Sequence, residues 1–436
     1  MGIIQASIPL FFLLIAAELV WAQVSGRRVL RLNDSLSDLS CGILSQLAGI
    51  FTKLFTVGIF IQVAEHWRPQ RFVPAIGEWP ERAPFLAVES FPGFAVDLPA
   101  LASWAAVFTL VDLCYYFSHR YAHEVNLLWA GHVVHHSSEE YNLPVALRQS
   151  ALHGLMSWVF YIPLALIGVP WRMFVASTAL NLVYQFWIHT RAVGTLGRLT
   201  ELVMNTPSHH RVHHGVNPEY QDRNYAGVFI VWDRLFGTFE PEVAEPVYGI
   251  TKPLRSWNPL WANVHVFVQI ARDAWRAPRW ADKWRIVFGP PGWRPAELGE
   301  AERPQPVTPA TFEKYDPPVP AGLAWYGFVQ FVAALASAYL LLGRAGTMPV
   351  SLAVAPAFFI AVALAGVGGV FERAKWARPL ETARLLATAA ACGGLLWTGL
   401  APGLVAWGGL AFCLVSLAVL WAYRRELTAV ELAPLM

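Results

Sequence analysis

Charge is what this 436-residue chain has least of: Asp, Glu, Lys and Arg make up 14% of it, against 56% hydrophobic residues. Soluble proteins carry about 25% charged residues, so the deficit argues against an ordinary soluble domain and for a bilayer. The formal net charge of +2 gives no electrostatic footprint for a nucleic-acid partner. Cysteine is scarce as well. The four cysteines (Cys41, Cys114, Cys392 and Cys413) stand far apart, in or beside apolar runs, without metal-ligand or disulfide spacing. They read as buried and reduced, which leaves any metal chemistry to histidine and carboxylate. The His-Glu-x-x-His pattern of zinc hydrolases is missing, and so are internal repeats and low-complexity tracts. Tryptophan, by contrast, is plentiful: the 20 present suit an interfacial aromatic belt, although a core would also use them.

A membrane-spanning helix needs about 20 mostly apolar residues. Such stretches run from Ile3 to Ala22, Gly42 to Val63 and Leu98 to Phe117. An apolar hairpin follows, with arms at Leu155–Val169 and Arg172–Ile188 separated by Gly168 and Pro170. Four more stretches lie at Ala321–Leu342, Val350–Val370, Ala383–Leu400 and Leu404–Tyr423. A cleaved signal peptide competes for the first stretch. However, a charged n-region is missing there, and the basic residues Arg27, Arg28 and Arg31 come after the apolar run. The fold class expected is an all-α polytopic membrane bundle of about nine spans with a histidine-rich cap. Its divisions are N-terminal spans at 1–97, a histidine-bearing domain at 98–250, a connecting segment at 251–320 and C-terminal spans at 321–436. Counting spans alternately puts Arg27/Arg28/Arg31, the histidines, Arg373/Lys375/Arg378 and Arg424/Arg425 on one side, which the positive-inside rule makes cytoplasmic. The loop with Arg68, Arg71 and Arg82 disagrees.

Histidine is where the sequence becomes specific. Of thirteen histidines, eleven fall between His119 and His214. His119 and His123 are spaced i, i+4. His132 precedes His135 by three residues and His136 by four, and His210 stands in the same relation to His213 and His214. Residues at these spacings share one helix face, with Cβ atoms about 5–6 Å apart, so each cluster can aim several imidazoles at one point. One such pair would be an ordinary solvated helix face. Three clusters on one side of a membrane protein, separated by helix-like apolar segments, are not explained by solvation. Imidazole binds Zn, Fe, Cu or Ni, and this many ligands exceed what one metal accepts. Structural zinc takes four ligands and leaves no open position, so the larger set suits two redox metals with open positions. Imidazole alone does not choose iron over zinc.

At these residues the chain resembles the fatty acid hydroxylase/sterol desaturase superfamily of membrane di-iron enzymes, which carries HxxxH and two HxxHH boxes in this order. Within it the chain looks most like the alkylglycerol monooxygenase branch. The matching stretches are Asp112–Tyr116, HRYAHEVNLLWAGH (His119–His132), HHSSEEYNLPVALRQS (His135–Ser150), YQFWIHT (Tyr184–Thr190), NTPSHHRVHHG (Asn205–Gly215) and NYAGVFIVWDRLFGTFEPE (Asn224–Glu242). Beyond these, Tyr248–Pro253 and Gly289–Trp293 are similar, and the likeness is loose outside Asp112–Glu242.

The resemblance implies a cytoplasm-facing di-iron site, an O₂-dependent monooxygenase and, in this branch, tetrahydrobiopterin as electron donor. The reaction it implies is hydroxylation of the ether-bearing carbon of a glycerol ether, followed by collapse to a fatty aldehyde and glycerol. Carried over by motif, the iron ligands are His119, His123, His132, His135, His136, His189, His210, His213 and His214. Gln185 stands where some superfamily members have a further histidine.

Around this set, Glu124 is a candidate to orient a ligand or bind pterin or substrate; a solvated helix residue is the plainer alternative. Asp112, an acid ending an apolar run, is a candidate functional group. His209 is a candidate to complete the set or support it. Glu139, Glu140 and Asn142 read as a helix-ending polar turn, Asn205 and Ser208 as caps for the third box, and Arg148 as the partner of a buried acid or a lipid headgroup. His153 reads as structural or interfacial, His66 and His265 as surface residues. Two other functions remain open: a hydroxylase or desaturase acting on a sterol, fatty acyl or carotenoid-like lipid, and a metal-binding transporter or sensor. A transporter would place its ionisable groups near mid-span, whereas these clusters sit at span ends and in loops.

Overall fold

Long helices occupy both ends of the chain, and shorter ones fill the stretch from Asn126 to Phe288. The computed structural model describes residues 3–67, 79, 85–87, 94–299, 307–399 and 403–428. In chain order the principal helices are α1 (Ile3–Val24), α2 (Leu32–His66), α3 (Leu98–Glu124), α4 (Asn126–His136), α5 (Trp171–Ile188) and α6 (Pro207–His213). They continue as α7 (Pro259–Arg276), α8 (Trp280–Phe288), α9 (Ala321–Arg344), α10 (Val350–Phe371), α11 (Ala377–Thr398) and α12 (Gly403–Ala422). The strands among the described residues form one antiparallel ribbon, β1 (Phe85–Ala87) with β2 (Phe94–Val96).

Six helices, α1, α2, α3, α9, α10 and α12, have the length and apolar composition to cross a membrane. Three of the nine expected spans do not meet that description among the described residues. The first hairpin arm is broken into short turns between His153 and Leu166, with Pro163 opening the last of them. Its partner α5 is 18 residues long and carries Arg172, Asn181 and Gln185. In α11 the charges of Arg378, Glu381 and Arg384 lie within the first eight residues. The loop with Arg68, Arg71 and Arg82 lies outside the described residues.

Length explains how membrane helices build the site. α2 has 35 residues, about 52 Å at 1.5 Å per residue, against a hydrocarbon core of about 30 Å. Its first two turns are polar, and Asn33, Asp34, Ser37 and Asp38 are buried there against the histidine region. The Asp97 side chain caps α3 by accepting from the Ala100 amide at 3.0 Å. α3 then runs on until its last two turns present His119 and His123. At Val125 the chain becomes extended and α4 begins at once. Asn126 anchors this corner, donating from its side chain to the Ile286 carbonyl (2.8 Å) and from its amide to Gly289 (2.9 Å).

The C-terminal helices pack against the rest of the protein. Leu44 and Leu47 of α2 share one apolar core with Ile360, Leu364 and Phe371 of α10. Glu372, just past α10, accepts from the Ser256 hydroxyl at 2.6 Å. Inside the C-terminal bundle, Arg384 pairs with Glu381 (2.7 Å), which also accepts from the Tyr326 hydroxyl (2.7 Å). A third layer of contacts is ionic. Glu140 Oε1 meets Arg31 at 3.0 Å and Lys314 at 2.7 Å, while its Oε2 meets Arg191 at 2.9 Å. Glu139 accepts from the Tyr315 amide at 2.6 Å. The polar turn expected after the second box does follow the end of α4, and it is also a buried ionic junction with three distant segments.

Candidate metal centre

Four short stretches of backbone bring nine imidazoles together. α3 supplies His119 and His123, and α4 supplies His132, His135 and His136. His189 caps the C-terminus of α5; α6 supplies His210 and His213, with His214 as its C-cap. They sort into two groups. His119, His123, His132, His136 and His213 form one, and His135, His189, His210 and His214 the other; within each, the facing nitrogens lie within 4.8 Å of one another. The groups adjoin, because the His136 and His214 rings stack at 4.4 Å. All nine positions expected from the sequence are thus gathered at one place. The spacing of each box is the reason: in α4, His132 and His136 face one group while His135, a quarter-turn away, faces the other.

Ring nitrogens on the outer side are held by backbone carbonyls. Nδ1 of His119 meets Tyr225 O at 2.7 Å, that of His135 meets Arg148 O at 3.1 Å, that of His189 meets Gln185 O at 2.7 Å, and that of His213 meets Arg223 O at 2.9 Å. A carbonyl only accepts, so each Nδ1 carries the hydrogen and each Nε2 of these neutral rings presents a lone pair. This matters most for His135 and His189, whose Nε2 atoms face each other at 3.2 Å. With both hydrogens committed elsewhere, no hydrogen bond can form between them, and two lone pairs repel. A cation between them turns the repulsion into ligation. Metal–nitrogen bonds of about 2.0–2.1 Å meeting near a right angle put two nitrogens about 3 Å apart. The Nε2 atoms of His123, His213 and His214 are likewise buried without a hydrogen-bond partner. The residues therefore fit a metal in each group.

Burial keeps the imidazoles in the form that binds metal. Desolvation, reinforced by neighbouring rings, holds His136, His210 and His214 well below the usual histidine range, and desolvation alone lowers His213 to about 4. Neutral imidazole is the ligand form.

A second layer fixes the carbonyls. Asp233 accepts from the amides of Tyr225 and Ala226, both at 2.8 Å, and from the Thr238 hydroxyl at 2.7 Å. Asn224 adopts a left-handed φ of 55° and donates to the carbonyls of His209 (3.0 Å) and Glu240 (2.7 Å). Asp112 accepts from Asn181 Nδ2 (2.6 Å), the Val228 and Phe229 amides (2.8 and 3.0 Å) and Trp232 Nε1 (2.9 Å). Every one of these partners is a donor on the loop at 228–232 or on α5, and no histidine is among them. Asp112 therefore holds the loop at 224–233 and does not touch the imidazoles. Gly227 lets it do so, since a Cβ there would lie 2.8 Å from Asp112 Oδ1.

The remaining candidate residues have partners of their own. Glu124 pairs with Arg120 at 2.8 Å, partly exposed, and joins neither histidine group. The His209 side chain points away from its neighbour His210 and meets Glu201 at 2.9 Å, so it does not complete either set. Asn205 donates to the Ala226 carbonyl at 2.6 Å, and α6 starts at Thr206 without a side-chain cap. Arg148 takes the first of its two expected roles, pairing with buried Asp38 at 3.1 Å. His153 lies closer than expected, its ring 5.6 Å from that of His132. His66 is exposed, and His265 is half-buried on α7.

Sequence reasoning passed over Glu18. This buried residue of α1 accepts from the Leu143 amide at 2.8 Å and from the Thr190 hydroxyl. A lone acid inside an otherwise apolar helix was the signal that marks it. Asp233 gave no such signal, because two of its three partners are backbone amides, which carry no mark in a sequence.

Comparison with known proteins places this geometry in context. The family model for fatty acid hydroxylases matches residues 104–238. An alkylglycerol monooxygenase of Xenopus tropicalis is 36% identical over 86% of this chain and 79% of its own length. The human alkylglycerol monooxygenase is 40% identical over 70% of this chain and 63% of its own length. An ornithine lipid hydroxylase, OlsE of Rhizobium tropici, is 32% identical over 31% of this chain and 42% of its own. No solved structure matches.

Proposed function

Because this chain belongs to the alkylglycerol monooxygenase family, we propose that it is a membrane lipid monooxygenase that holds one iron in each histidine group and oxidises ether lipids. The observation that carries the metal reading is the pair of Nε2 lone pairs of His135 and His189 facing each other at 3.2 Å. The choice of iron and of O₂ as oxidant rests on family membership.

In balance, one oxygen atom of O₂ enters the C–H bond of the ether-bearing carbon. The other leaves as water with two electrons and two protons from a donor, for which tetrahydrobiopterin is the proposed source. The resulting hemiacetal breaks its C–O bond to release a fatty aldehyde and a glycerol. Iron, when bound, supplies the activation of O₂. The chain's own residues do the rest. The nine imidazoles bind metal in neutral form, and the carbonyls of Tyr225, Arg148, Gln185 and Arg223 hold Nδ1–H so that Nε2 points inward. Asp233 and Asp112 fix the loop that carries the Tyr225 carbonyl. Burial keeps bulk water from the site. The histidine cap is proposed to face the cytoplasm, on the strength of the loop charges.

A second reading, hydroxylation of another lipid without ether cleavage, is favoured by one observation. The ornithine lipid hydroxylase relative aligns over part of the chain. Purified protein assayed for metal, then given O₂, tetrahydrobiopterin and a labelled alkylglycerol, separates the two. Iron with pterin-dependent aldehyde release supports the first. Iron with a hydroxylated lipid and no aldehyde moves the function to the second, and zinc or no metal refutes both.

A further inference from the structure

We propose that the groove between α2, α7 and α10 is the seat of the substrate's alkyl chain, so that the C-terminal helices form part of the substrate site. The inference rests on the lipid-monooxygenase reading and adds to it where the hydrocarbon lies.

The groove has a volume of about 560 Å³, within the range of about 300–1,000 Å³ typical of small-molecule sites. Of the side chains lining it, only Asn263 is polar. That amide is already committed: its Oδ1 accepts from the Ala151 amide (2.8 Å) and the Ser150 hydroxyl (3.2 Å), and its Nδ2 donates to the Pro259 carbonyl (2.8 Å). Nothing in the groove is left to bind a headgroup, so the occupant it suits is hydrocarbon. Two walls run lengthwise, α2 from Leu44 to Phe51 and α10 from Val354 to Ala361. Each covers about 10 Å at 1.5 Å per residue, the shape of an extended chain. Ala357 is buried while Phe51 and Phe358 stand exposed, so small residues leave room between larger ones.

Continuity with the histidine centre separates this groove from ordinary lipid contact. Ala151 and Leu152 line it, and the next residue, His153, brings its ring to 5.6 Å from His132. The groove wall at Ala151 and Leu152 thus borders His153, whose ring adjoins that of the proposed ligand His132, and this is the end at which a reacting carbon would be delivered. Asn263 supports the connection, since its bonds to Ser150 and Ala151 tie that segment to α7.

The test narrows the groove in iron-loaded protein reconstituted in lipid nanodiscs. Ala361→Phe and Ala48→Phe are compared with Leu340→Phe, which lies on an exposed face of α9. Glycerol ethers of graded chain length serve as substrates. Expected is a loss of about tenfold or more in kcat/KM for long chains with short chains little changed, unaltered iron content, and no such shift in Leu340→Phe. The same chain-length profile in all variants overturns the proposal. A glycerol ether with a photoreactive alkyl terminus gives a readout that needs no turnover. Cross-links to Leu152 or Val264 support the groove, and cross-links spread evenly over exposed helices such as α12 overturn it. Cross-linking in the groove without cleavage of any glycerol ether would sink the ether-lipid reading and leave the groove standing.

Discussion

Glu18 and Thr190 are joined by a hydrogen bond across 172 residues of sequence, the Thr190 hydroxyl donating to the Glu18 carboxylate. Thr190 follows His189, and the other group held by Glu18, the Leu143 amide, lies a few residues past His135 and His136. One carboxylate from the first helix thus ties together two segments that feed the same histidine group. Replacing Glu18 with Ala strands two buried donors, at a cost of about 1–3 kcal/mol each. The expected result is a lower Tm and weaker iron retention, with Glu18→Gln intermediate. Calorimetry and metal analysis of the purified variants check both.

His135 and His189 sit at the centre of that group. Alanine at either position is expected to reduce bound iron and abolish turnover, while the helical content stays unchanged. Metal analysis paired with circular dichroism provides the check, and full activity in either variant removes that residue from the ligand set.

Asp233 touches no imidazole, yet it fixes the backbone that positions His119 through the Tyr225 carbonyl. Asp233→Asn offers only one acceptor oxygen where the carboxylate offers two. Loss of such support typically costs about 10–100-fold in metal affinity or activity. Iron titration and steady-state rates measure it. Asp112→Asn, which disturbs the same loop from its other side, is expected to act in the same direction.

Gly227 has no room for a methyl group: its Cβ would lie 2.8 Å from Asp112 Oδ1 and 2.9 Å from both Asn181 Oδ1 and Tyr115 Cδ1. Gly227→Ala is expected to destabilise the fold by about 1–3 kcal/mol and to lower iron content. A thermal melt beside metal analysis gives both numbers.

The metal-free protein is expected to lose stability on acidification. His213 is lowered by burial from 6.5 to about 4, so the folded state prefers the neutral ring. Its contribution is present above pH 6.5 and is lost as pH falls through about 4. His136, His210 and His214 shift in the same direction. Asp233 opposes them: burial raises it to about 6, a contribution present below its ordinary 3.8 and lost as pH rises through 6. Burial raises Glu139, Asp222 and Glu372 in the same direction as Asp233. The lowered histidines still outnumber these carboxylates, so the melting temperature should fall between pH 7 and pH 4. Bound metal competes with protons for the same nitrogens, so the metal-loaded protein should show a smaller drop over the first part of that range.

The parts legible in the sequence are those set by local periodicity. The boxes at His119, His132 and His210 keep their helical spacing in the fold, and six of the expected spans appear where apolar runs predicted them. Division of the nine histidines into two groups was not legible, because it depends on how α3, α4, α5 and α6 cross. For a related reason Glu124 and His209 join neither histidine group. Proximity in sequence placed them beside the boxes, but on a helix the adjacent residue points about 100° away. The three expected spans that fall short of the membrane-crossing length or composition among the described residues, the broken hairpin arm, α5 and α11, carry prolines or polar side chains, many with partners in other segments, and hydropathy does not see partners.

The junction at Glu140 has a temporal side. Arg31 is made before Glu140, Arg191 soon after it and Lys314 long after; all three meet its carboxylate in the finished protein. At about 5–20 residues per second of synthesis, Lys314 is made roughly 9–35 seconds later than Glu140. Until then only Arg31 and, once it is made, Arg191 are present to pair with Glu140, and Tyr315, whose amide donates to Glu139, has not been synthesised. The ionic junction beside the histidine cap can therefore be completed only late in translation, after all of the imidazoles have been made.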